Sequence, residues 1–115
     1  MQFASFAVAA CAFVATGAFG AWPDKPIRMI VAVPPAGPAD TLSRLVSPGL
    51  TAALGQPIVI DNRPGANGNI AYEMTARAVP DGYTITAVAA GVAINPHLYR
   101  DVRFDPVKDF SAITQ

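Results

Sequence analysis

The sequence predicts an α/β fold, a parallel sheet in a three-layer lobe with helices on both faces. Three observations carry this. The run Ile27 to Val33 is almost continuously apolar, as in a strand covered on both sides. A strand, a small-residue loop and a helix then follow one another three times, which implies right-handed crossovers between parallel strands. Each strand-to-helix junction also carries glycine: Gly37 in the first, Gly65 and Gly68 in the second, Gly91 in the third.

The elements follow in order. Residues 1–21 are apolar and small, ending Ala18-Phe19-Gly20-Ala21, and read as an export signal cleaved after Gly20 or Ala21. Its n-region has no Lys or Arg. The chain is therefore expected to be exported. Trp22-Pro23-Asp24-Lys25-Pro26 ends the apolar run. After the first strand, Pro34-Pro35-Ala36-Gly37-Pro38 can only be a loop. A helix begins at Ala39 or Asp40, with Asp40 suited to cap it. Leu42, Leu45, Val46, Leu50 and Leu54 fall on one helical face, Pro48 is expected to kink the helix, and Gly55 to end it.

Pro57 to Asp61 reads as the second strand. Asn69 can cap a helix whose expected buried side is Ile70, Met74 and Val79, with Glu73 and Arg77 paired four apart. Pro80-Asp81-Gly82 turns the chain into a third strand, Tyr83 to Ala89. A short helix is expected to begin near Asn95-Pro96, with Phe104 to Phe110 as a linker.

Composition narrows the function. Of 115 residues, eight are basic and eight acidic, so the formal net charge is zero and no basic patch points to nucleic acid. The single cysteine, Cys11, lies in the leader, which leaves no disulfide and no thiolate metal site after it. His97 has no triad pattern around it, and the aspartates form no dense ligand loop. No catalytic residue, metal or cofactor is expected. The dinucleotide pattern G-x-G-x-x-G and the P-loop are absent, so a fragment of a nucleotide-binding α/β enzyme domain is the alternative reading. A small interaction protein using an open sheet edge is a third.

Ligands of parallel sheets sit beyond the C-terminal ends of the strands, where all three junctions emerge. Free amides at a helix start attract an anion. The candidate ligand-binding residues are Ala36, Gly37, Pro38, Ala39 and Asp40 in the first junction. Gly65, Asn67 and Gly68 form the second set, and Ala90, Gly91 and Val92 the third. Arg63 could pair with an anionic ligand or bridge its own loop.

The ordered set Trp22-Pro23-Asp24-Lys25-Pro26-Ile27-Arg28, Pro34 to Asp40, Leu54-Gly55-Gln56-Pro57, Asn62 to Ile70, Pro80 to Thr84, Ile94-Asn95-Pro96 and Asp105 to Phe110 closely resembles the Bug (TctC-like) family. These are the solute-binding proteins of tripartite tricarboxylate transporters. The resemblance implies a type II periplasmic-binding-protein fold, incomplete here, with residues 22–115 as part of the N-terminal lobe. It also implies a non-enzymatic receptor that hands a small carboxylate or related solute to membrane permease subunits. The loops matching Ala36 to Asp40, Gly65 to Asn69 and Ala89 to Val92 surround the family's cleft. The family's first loop usually has consecutive glycines, then Thr or Ser before the aspartate. Here Ala36, Pro38 and Ala39 stand in those places. Pro38 lacks a backbone donor and Ala39 lacks a hydroxyl, which implies weaker ligand binding.

Overall fold

The computed structural model describes residues 20–114. The expected export segment lies almost wholly outside them, as does Cys11. Strand β1 (Ile27–Val31) is followed by helix α1 (Pro38–Leu54), β2 (Ile58–Asn62), α2 (Asn69–Ala76), β3 (Thr84–Ala87) and α3 (Gly91–Leu98). The sheet order is β2-β1-β3 and both pairings are parallel. The chain therefore leaves the central strand to one side and returns across it to the other. Right-handed crossovers taken in opposite directions place α1 and α2 on opposite faces.

Alternation along the strands agrees with this. Asn62 bonds to Asp40 of α1, so its face, shared with Ile60, Ile27, Met29 and Val31, is the α1 side. A Cβ on Gly68 would meet both Ala32 and Tyr72, so Arg28, Ile30 and Ala32 face α2. Ile27, Ile30 and Val31 are buried, each contributing about 1.5–3 kcal/mol. The β1 strand needs apolar residues on both faces because it is central.

Helix periodicity located an apolar stripe on α1 but not what it packs against. Leu42 and Leu45 are 62% and 75% exposed, and Val46 is 49% exposed. The side buried against the sheet carries Asp40 and Ser43. The Ser43 and Ser47 hydroxyls donate to the carbonyls of Ala39 and Ser43 at 2.7 and 2.6 Å, so polar groups meet the sheet already satisfied. Helix α1 is one element through Pro48. Gly55 closes it in the left-handed conformation (φ 71°), donating to Thr51 O.

Two other expectations are corrected. In α2 the buried residues are Ala71 and Tyr72, while Ile70 is exposed and Met74 half-buried; Val79 lies beyond the helix end and is exposed. The segment Phe104 to Phe110 is not a linker. Phe104 is 7% exposed, edge-on to Tyr72 at 5.7 Å and to Phe110 at 5.9 Å between ring centroids. The Asp105 carboxylate accepts from the amides of Val107 and Lys108 at 2.8 and 3.0 Å, which folds the segment into a turn. Glu73 and Arg77 form the expected ion pair at 2.5 Å.

Candidate functional site

Three parallel strands end at one edge, and their junctions border a single concavity of about 360 Å³. The first junction contributes Ala32, Val33 and Pro34, which turn out of the sheet rather than extending β1. The second contributes Pro64, Gly65, Asn67 and Gly68, and the third Ala89 and Gly91. Tyr72, one turn into α2, forms a wall. No charged side chain lines the space.

Of the residues singled out from sequence, Gly65, Asn67, Gly68 and Gly91 come together here. Ala90 sits beside them at the cap of α3. Val92 faces a separate open groove along β3. Ala36, Gly37, Pro38, Ala39 and Asp40 lie farther along the first junction, where α1 begins, and are not part of the lining. Pro38 occupies the first turn of α1, where a missing N–H costs no helical bond.

The second junction is built from four consecutive residues with positive φ: Gly65 at 127°, Ala66 at 47°, Asn67 at 55° and Gly68 at 91°. Glycine and asparagine tolerate this region and alanine does not, at about 1–2 kcal/mol. Such a turn persists only where its surroundings hold it. Here the support is Asn95, which lies buried inside α3 and is not the expected cap. Its side-chain amide donates to Asn67 O at 2.9 Å and to Asn69 Oδ1 at 2.6 Å. The cap of α2 is Gly68, so Asn69 is already helical.

Among the described residues, the amides of Gly65, Ala66 and Asn67, and of Ala90 and Gly91, have no acceptor. Gly68 N–H is spent on Gly65 O at 3.0 Å. Free donors thus flank the concavity on two sides, with no cation beside them. Arg63 pairs with Asp61 at 2.8 Å, and Arg28 pairs with the same carboxylate. Burial pushes the Asp61 carboxyl up, but the bonds and charges of Arg28 and Arg63 outweigh it and hold it below its ordinary value.

Asp40 is the structural anchor of the first junction and not the helix cap, which is Gly37. Its carboxylate accepts from Arg44 Nε at 2.9 Å, Asn62 Nδ2 at 2.8 Å and Ala36 N–H at 2.9 Å. These bonds, with Arg44 first, hold its pKa at about 2. Asn62 also donates to Val33 O at 3.1 Å, so β2 positions the same junction. A carboxylate with this many internal donors, 2% exposed, is committed to the loop's shape.

Sequence reasoning missed Tyr72, the buried bridging role of Asn95, and that Ala32 and Val33 leave the strand ahead of the loop expected from Pro34. A long side chain in a helix covers the turn N-terminal to its own Cα, which places Tyr72 over Gly68. Among the described residues no group of three His, Cys, Asp or Glu could hold a metal ion. His97 is exposed and outside the concavity.

Residues 29–115 match the model of the tripartite tricarboxylate transporter family receptor. A UPF0065 protein of Bordetella bronchiseptica is 43% identical over 93 residues, which is 80% of this chain and 28% of that protein. The solved periplasmic binding protein BugD is 35% identical with a TM-score of 0.75, over 77% of this chain and 30% of BugD. A Rhodopseudomonas palustris protein solved with adipate, Rpa4515, is 37% identical with a TM-score of 0.70, over 74% of this chain and 29% of that one. MatC of the same organism, solved with bound malate, is 35% identical with a TM-score of 0.68, over 77% of this chain and 31% of its own. The chain thus spans less than a third of the length of these proteins.

Proposed function

The chain belongs to the tripartite tricarboxylate transporter receptor family, and from that premise we propose that it is the capture surface of a periplasmic solute receptor. The family is made of solute-binding receptors, and the fold here is part of a periplasmic-binding-protein lobe. The proposed solute is a small carboxylate, the proposed unit part of an N-terminal lobe, and the proposed recipient a membrane permease of the tripartite type. The role is binding and release, without catalysis. Two relatives at 35–37% identity are solved with dicarboxylates, malate and adipate, which supports this solute class.

The observation that carries the reading is the shared concavity, bordered by three junctions and by free amides. A hydrogen bond to a charged group is worth about 1.5–3 kcal/mol, so three of them, about 4.5 kcal/mol or more, support a Kd of about 1 mM or tighter. Neutral donors suffice because backbone amides at helix starts stabilise an anion without a cation.

Isothermal titration checks this. Malate or adipate should give saturable heat at neutral pH. ATP and NAD should give none, since no phosphate-cradling glycine pattern follows β1. Saturable heat with nucleotides alone would favour the truncated-enzyme reading instead.

A further inference from the structure

We propose that Tyr72 is a ligand-binding residue, and that its hydroxyl with the Ala90 and Gly91 amides forms a carboxylate subsite at the start of α3. This rests on the receptor reading above and names one part of its site. Tyr72 is 2% exposed, yet it lines the concavity. Its hydroxyl oxygen is 3.5 Å from Ala89 N–H, from which it accepts. The hydroxyl's own proton has no acceptor among the described residues. A buried O–H facing a cavity without an acceptor is a donor awaiting one.

The geometry around that proton suits a carboxylate oxygen. A Cβ built on Gly91 would lie 3.6 Å from the Tyr72 hydroxyl, so the start of α3 and the phenol meet at one point. Ala90 and Gly91 present the unpaired amides there. Among the lining side chains the other polar one, Asn67, already reaches Asn95 Oδ1 at 3.4 Å. Tyr72 is therefore the side chain left to distinguish an acceptor, such as a carboxylate, from a donor or an apolar group.

The test compares the wild-type chain with Tyr72→Phe, which keeps the ring and its edge contact with Phe104. Malate is the probe, and three quantities are measured: melting temperature, calorimetric affinity and the tyrosine ultraviolet difference spectrum. The expected result is unchanged melting, binding weakened roughly ten- to hundredfold, and a ligand-induced tyrosine shift seen only in the wild type. Equal affinity in both proteins overturns the Tyr72 assignment and leaves the receptor reading intact. No saturable binding of malate or adipate by the wild type overturns both. If Tyr72→Phe melts early, the wild-type spectrum decides: an unperturbed tyrosine band at malate saturation overturns the proposal.

Discussion

Phe104→Ala is expected to destabilise the fold by about 3–5 kcal/mol, the range for deleting a buried aromatic ring. In a domain of this size that lowers Tm by more than roughly 10 °C. The reason is the position of the ring. It closes the outer side of Tyr72, and Phe110 closes the outer side of Phe104. Removing it opens a void beside α2 and frees the turn capped by Asp105. Thermal melting by circular dichroism reads the effect. Val107→Ala serves as the control, because Val107 is exposed in the same turn. Equal melting temperatures for Phe104→Ala and the control would return the segment to the status of a linker.

Gly68→Ala is the second large effect, expected at roughly 2–5 kcal/mol. The backbone there has φ of 91°, which costs an alanine about 1–2 kcal/mol. The new Cβ would also lie 2.9 Å from the Tyr72 ring and 3.3 Å from the Ala32 Cβ. Overpacking of that kind adds about 1–3 kcal/mol. Relief requires Tyr72 to swing away, so the concavity should change shape as well as the stability falling. Melting and malate affinity should therefore decline together. A Gly68→Ala protein with the parent's melting temperature and malate affinity would mean that the turn is not as tight as the structure has it.

The order of strands and helices was legible because the central strand must be apolar on both faces and each crossover needs a helix. Family resemblance was legible in the turn residues, where backbone geometry restricts choice most. Packing partners were not. The stripe Leu42, Leu45, Val46, Leu50 and Leu54 follows helical spacing, yet its first three members are exposed and only Leu50 and Leu54 are half-buried, while Asp40 and Ser43 are buried. A period locates a face, and a polar residue can face inward when it arrives already hydrogen-bonded.

The candidate site was legible in outline for a similar reason. Glycines at the ends of parallel strands mark the right edge of the sheet, and Gly65, Gly68 and Gly91 do line the concavity. In the first junction Ala32 and Val33 read as the end of the strand and Pro34 as the start of the loop, yet all three line the concavity, while Ala36 to Asp40 lie farther along, where α1 begins. Tyr72 and Asn95 escaped notice because each acts across a distance in sequence. Tyr72 reaches Ala89, and Asn95 reaches Asn67 and Asn69. Only the fold brings these pairs together.

The most direct measurement is a malate titration followed amide by amide in nitrogen–proton correlation spectra of the chain. The expected shifts, saturating together, belong to Gly65, Ala66, Asn67, Ala90 and Gly91, with small changes elsewhere. Saturable shifts confined to α1 or to the open groove along β3, or no shifts at all, would contradict carboxylate capture between these junctions.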